Sequence, residues 1–155
     1  FRKRWNQEEA TLKEIDAAGV ESLVANDTDK TRVINLWATW CRPCVAEMPA
    51  LVEMHRMYRK RPFELITISM DAMAKQQQAL KVLSEHHASM TNYIFASTDR
   101  NKLVEAIGRE WRGVVPFTLV IAPGGETVYR KRGPFDAHAL KKAIVGELGR
   151  TYFAN

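Results

Sequence analysis

Two cysteines, Cys41 and Cys44, are the only thiols in the chain, and they stand as Cys-Arg-Pro-Cys. Before them runs Val33–Ala38, an apolar stretch broken only by Asn35 and shaped like a buried strand. After them Val45, Met48, Leu51, Val52, His55 and Tyr58 recur at steps of three and four, the period of one helix face. The pair therefore falls on the first turn of a helix. There the leading N–H groups have no internal partner and the peptide dipoles leave partial positive charge. A thiolate at such a site is stabilised, so its pKa drops from about 8.5 into the range of about 3.5–7.5. Arg42 adds a full positive charge, and Pro43 suits a first-turn position because the N–H it lacks would go unpaired. The chemistry implied is thiol–disulfide exchange. Cys41 is the nucleophile, and Cys44, one turn in and less exposed, resolves the mixed disulfide.

Other uses of two cysteines fit less well. A structural zinc site wants four ligands, whereas no second cysteine pair exists and His55, His86, His87 and His138 show no ligand spacing. A purely structural bridge across so short a loop would remove little chain entropy. No metal or cofactor is expected.

The elements that must position this site can be read in order. Residues 1–26 are charged and then weakly helical, with Leu12, Ile15, Val20, Leu23 and Val24 able to share a face and Gly19 expected to divide them. Residues 1–30 are thus expected to form an N-terminal arm packed on a domain of residues 31–150. Strands are expected over Thr31–Ala38, Phe63–Met70, Asn92–Ala96, Val114–Ala122 and Thr127–Lys131. Helices are expected over 42–60, Ala74–His87 with Leu80 and Leu83 inward, Asp99 (as cap) to Ile107, and Asp136–Leu148. The paired glycines of Pro123-Gly124-Gly125-Glu126 supply the positive φ that a hairpin needs. This order suits an α/β fold with one central sheet and helices on both faces.

At 155 residues, with 46% hydrophobic and 26% charged residues, the chain has the size and composition of one globular domain. A formal charge of +5 is modest, and basic residues cluster only at Phe1-Arg2-Lys3-Arg4 and Tyr129-Arg130-Lys131-Arg132, which read as solvated faces. Nucleic acid is not an expected partner. No run approaches a membrane span. The chain opens on Phe1 and not Met, so a leader or membrane anchor is expected upstream.

The string Trp-Ala-Thr-Trp-Cys-Arg-Pro-Cys with Glu47 and Pro49, followed by Val115-Pro116-Phe117-Thr118 ahead of the Gly-Gly hairpin, resembles thioredoxin-fold proteins. More narrowly it resembles the TlpA/ResA/DsbE-like thiol–disulfide oxidoreductases of bacteria, over about residues 31–148. The resemblance implies a mixed sheet flanked by helices, with an extra helix and strand inserted at about 71–96. It implies a cis Val115–Pro116 bond beside the dithiol, with Val115 backbone groups pairing to an extended client segment. Trp40, Arg42, Pro43, Val115 and Pro116 would then contact the client. The matching glutamate of ResA-like proteins is an active-site acid; Glu47 lies one turn beyond Cys44, and burial would raise its pKa. An ordinary trans-proline at Pro116 and a solvated Glu47 are the plainer alternatives. Asn35 stands where thioredoxin carries a buried, titrating aspartate, which moves proton exchange onto Glu47 or water.

The resemblance thus implies an extracytoplasmic protein-disulfide oxidoreductase, acting as a reductase. Its partners would be a client protein with a disulfide or dithiol and an upstream thiol electron donor. Two other functions compete. One is a Cu(I)-binding or client-binding module without turnover, for which known carriers space their cysteines more widely. The other is a thiol peroxidase, for which Ala38 and Ile34 occupy positions that want Thr and Pro.

Overall fold

The computed structural model describes residues 8–108 and 110–153; the basic cluster at Phe1–Arg4 lies outside them. Six strands form one sheet: β1 (Lys13–Ile15), β2 (Thr31–Trp37), β3 (Phe63–Ser69), β4 (Thr91–Phe95), β5 (Phe117–Ile121) and β6 (Thr127–Arg132). Five α-helices accompany them: α1 (Ala17–Ala25), α2 (Arg42–Tyr58), α3 (Gln76–Glu85), α4 (Arg100–Ile107) and α5 (Ala137–Phe153). A 3₁₀ turn, Met73–Lys75, leads into α3.

The spatial order is β1-β4-β3-β2-β5-β6. β1, β4, β3 and β2 run parallel, while β5 and β6 are antiparallel to their neighbours. All seven residues of β2 are buried. A strand in the middle of a sheet covered on both faces reads as a near-continuous apolar run, here Val33, Ile34, Leu36 and Trp37, while the buried Arg32 and Asn35 are hydrogen-bonded to Glu64 and Thr118. Val33, Leu65 and Val120 face α2, α3 and α5, in the cluster that also holds both cysteines. Ile34, Leu36, Ile66, Ile68 and Leu119 face α1 and α4 on the other side.

Four details differ from the sequence-based expectation. Lys13–Ile15 form an edge strand and not a helical turn, pairing in parallel with Tyr93–Phe95. Three residues are too few to display a period, so only the partner strand reveals it. Gly19 does not divide the helix; it lies inside α1, where a Cβ would come within 2.7 Å of Ile15 Cγ1. Its role is close approach of α1 to β1. Leu80 is exposed, and Ala79 and Leu83 are the buried residues of α3. Burial at i and i+4 turns Leu80 to the flank. β5 begins at Phe117, three residues later than expected, because Pro116 has no N–H for the ladder and Gly113 takes φ +81° in the preceding loop.

Asn26 joins two distant parts of the chain. It closes α1 in a left-handed conformation, φ 40°, and is fully buried. Its Nδ2 donates to the carbonyls of Lys30 (2.8 Å), Ile121 (3.2 Å) and Ala122 (3.1 Å), tying the α1 exit to the β5–β6 hairpin.

Candidate active site

β2 ends at Trp37, and a short turn, with Cys41 N–H donating to the Ala38 carbonyl at 3.1 Å, delivers the chain to α2. Cys41 is the residue that caps this helix, with extended backbone, and its sulfur accepts the Cys44 N–H at 3.3 Å. The expected placement at the positive helix end is therefore met in detail. The two sulfurs form a disulfide, with the Cα atoms 5.3 Å apart. Cys41 is 6% exposed and Cys44 1%, so an attacking thiol reaches Cys41 first. Arg42 and Pro43, within the first turn, are exposed.

Glu47 follows Cys44 by one turn on the buried side of α2. A solvated surface carboxylate is thereby ruled out. Oε1 accepts the Phe135 N–H at 3.2 Å, while Oε2 is buried without a partner. Burial raises its pKa to about 7, and the Phe135 N–H opposes that rise. An ionised carboxylate here would lack solvation on one oxygen, so the neutral acid is favoured. Tyr129, whose own pKa is raised first by burial, also feels the charges of Asp136 and Glu47.

The Val115–Pro116 bond is cis. Its loop is held from both sides: buried Trp111 donates from Nε1 to the Val114 carbonyl at 2.9 Å, and Gly133 N–H donates to the Pro116 carbonyl at 2.8 Å. Val115 packs against the buried cluster that contains Cys41 and Cys44 and also against the cluster on the other face of the sheet. Trp40 and Val114, which immediately precede Cys41 and Val115, are 63% and 68% exposed, the two most exposed large apolar side chains among the described residues. Asn35 is buried and donates to Thr118 Oγ1 at 3.0 Å, forming a neutral bridge between β2 and β5.

Sequence reasoning passed over four contributors: Val114, Phe135, Thr39 and Asp71. Phe135 acts through its backbone, which leaves no side-chain signal. Asp71, two residues after β3, is buried and binds the turn before Cys41; an acidic residue just past an apolar strand was the available clue. His86 and His87 lie half-buried at the exit of α3, and among the described residues no three His, Cys, Asp or Glu side chains are grouped to hold a metal ion.

The sequence pattern of the Redoxin family matches residues 9–147. The thiol-disulfide oxidoreductase ResA of Oceanobacillus iheyensis is 34% identical over 114 residues, covering 74% of this chain and 54% of that protein. The aligned part thus spans about half the length of that relative. A DsbF homologue from Corynebacterium diphtheriae superposes with TM-score 0.68 at 24% identity, over 79% of this chain and 75% of that one. A thiol:disulfide interchange protein of the thioredoxin family from Chlorobium tepidum gives TM-score 0.63 at 21% identity, over 82% and 84%. These superpositions show a thioredoxin-like fold, in agreement with the mixed sheet and its flanking helices.

Proposed function

The chain belongs to the Redoxin family, and from that premise we propose that it is a thiol–disulfide oxidoreductase acting on cysteines of a client protein. The observation that carries this reading is the Cys41–Cys44 disulfide closed across the cap and first turn of α2, with the more accessible sulfur outermost. The resemblance to ResA-like proteins supports the same assignment.

In the reducing direction, the Cys41 thiolate attacks one sulfur of the client disulfide. A Cys41–client bond forms, the client S–S bond breaks, and the departing client thiolate takes a proton. The Cys44 thiolate then attacks Cys41 sulfur and expels the second client thiolate. The client gains two electrons and the Cys41–Cys44 disulfide is restored. Positive potential at the α2 start and the Arg42 charge hold Cys41 as thiolate. Glu47 lies one turn away with its pKa raised to about 7, so near neutral pH a large share is ionised, and that carboxylate accepts the Cys44 proton as the thiol becomes the attacking group. Trp40, Arg42, Pro43 and Val115 form the client-facing rim, with Pro116 itself buried, and the exposed apolar area of Trp40 and Val114 favours a protein over a small thiol.

We assign the protein outside the cytoplasm, with an upstream thiol donor returning electrons to Cys41–Cys44; no helix among the described residues is long and apolar enough to cross a membrane. Among the described residues, 8–30 serve as an N-terminal arm packed on a domain of 31–150, to which they add β1 and α1, and 71–96 serve as its insertion. The test is trapping. Cys44→Ser should accumulate a mixed disulfide with a reducible protein substrate, seen as added mass under non-reducing conditions. Cys41→Ser should accumulate none. Equal trapping by both variants would refute the assigned roles. A potential near about −270 mV would place the couple with reductases, and one near about −120 mV with oxidants.

A further inference from the structure

The turn that presents Cys41 is bound from outside by a carboxylate. Asp71 follows β3 and is 4% exposed. Its two oxygens take the Thr39 N–H at 3.2 and 3.1 Å, the Thr39 hydroxyl at 2.6 Å and the Ser69 hydroxyl at 2.6 Å. Ser69 Oγ in turn accepts the Asp71 N–H at 3.0 Å. Just before it, Met70 N–H donates to the Trp37 carbonyl at 2.8 Å, so the ends of β2 and β3 are laced together up to the residue where the turn begins.

The demand for these bonds follows from the local backbone. Thr39 lies beyond β2 and before α2, so neither ladder supplies an acceptor for its N–H. A buried carboxylate needs several donors to remain stable away from water, and one with two hydroxyls and an N–H has them. The two requirements answer each other across 32 residues of sequence.

We infer that Asp71 is a positioning residue for the dithiol: it clasps Thr39, sets the path of Trp40 into Cys41, and so favours the closed disulfide. The inference rests on the exchange function proposed above. Cys41 caps α2 only if the turn enters at one angle, and only then does its sulfur lie on the Cys44 N–H. Freeing the turn spreads the reduced thiols over more arrangements, fewer of which are ready to close. The ordering entropy then opposes the disulfide.

The measurement is the equilibrium between the full chain and glutathione, read by alkylation and mass. Asp71→Ala should shift it about tenfold toward the dithiol, about 30 mV for a two-electron couple. Asp71→Asn keeps an acceptor for the Thr39 N–H and should stay within about threefold of wild type. Thr39→Val, which removes one hydroxyl, should shift the equilibrium about threefold in the same direction. Combined with Asp71→Ala it should add little, since both changes break one unit. Three results would overturn the inference: an Asn variant shifted as far as the Ala variant, which would make the effect one of charge; additive shifts; or a lowered melting temperature with an unchanged equilibrium, which would make Asp71 merely structural. If Asp71→Ala does not fold, an unshifted Thr39→Val overturns it. Wild type that never exchanges with glutathione would instead remove the proposed function, and the clasp's role with it.

Discussion

Replacing Glu47 by Gln converts a buried carboxyl into a group of nearly the same shape that cannot titrate. The carboxyl goes from 4.5 in the unfolded chain to about 7 in the folded one, because burial strips solvent from the ionised form. Between those values the native state holds a proton that the unfolded chain has released. Stability due to this group is therefore complete below about pH 4.5 and is lost as pH rises to about 7. At 1.36 kcal/mol per pH unit, the loss sums to about 3 kcal/mol. Two other groups titrate nearby with the opposite sign. His55 falls from 6.5 to about 4, through burial first and then the charge of Arg59, so it loses stability as pH drops below about 6.5. Glu8, held at about 2 chiefly by its hydrogen bond to Arg59, loses stability only below 4.5. Wild type alone would show a flattened profile over the shared window, so the informative quantity is the difference between variant and wild type, from which His55 and Glu8 cancel. That difference should grow in favour of Glu47→Gln by about 3 kcal/mol from about pH 4 to about pH 8. Urea unfolding of both disulfide-closed proteins across that range, followed by circular dichroism, measures it. Parallel pH profiles would refute the reasoning, because they would mean that Glu47 ionises as if in water and is no proton acceptor for Cys44.

Asn26→Ala should cost about 3 kcal/mol, because it removes the Nδ2 donor shared by the Lys30, Ile121 and Ala122 carbonyls and places alanine at φ 40°, and it should lower the melting temperature by about 10 °C; a loss under about 1 kcal/mol would mean that water replaces the side chain. Gly125→Ala should destabilise clearly more than Gly124→Ala, read from denaturant midpoints. Both have φ near +100°, but only at Gly125 would a Cβ meet backbone, the Ala25 carbonyl oxygen at 2.7 Å. Equal effects would show that dihedral strain alone sets the cost.

The sequence by itself determined the chemistry at Cys41 and Cys44, because everything that chemistry needs is local. A helix start, a neighbouring arginine and a first-turn proline lie within four residues, and helix dipoles act over one turn. The same locality made β2, α2, β3 and the β5–β6 hairpin legible: each carries its own period or its own glycines. Even the cis bond at Pro116 was expected only through a resemblance, since sterics permit either isomer at an X-Pro bond. What tertiary structure alone decided depends on partners far along the chain. Glu47 is an acid of raised pKa because the fold buries it and returns to it only one donor, the Phe135 N–H from 88 residues on. Thr39 is held because Asp71 arrives at the end of the neighbouring strand. β1 exists because β4 offers an open edge, and Leu80 faces outward because α3 settled on Ala79 and Leu83. Residue type and spacing specify which group can react; burial and hydrogen bonding, which specify how readily, arise only when distant segments close over one another.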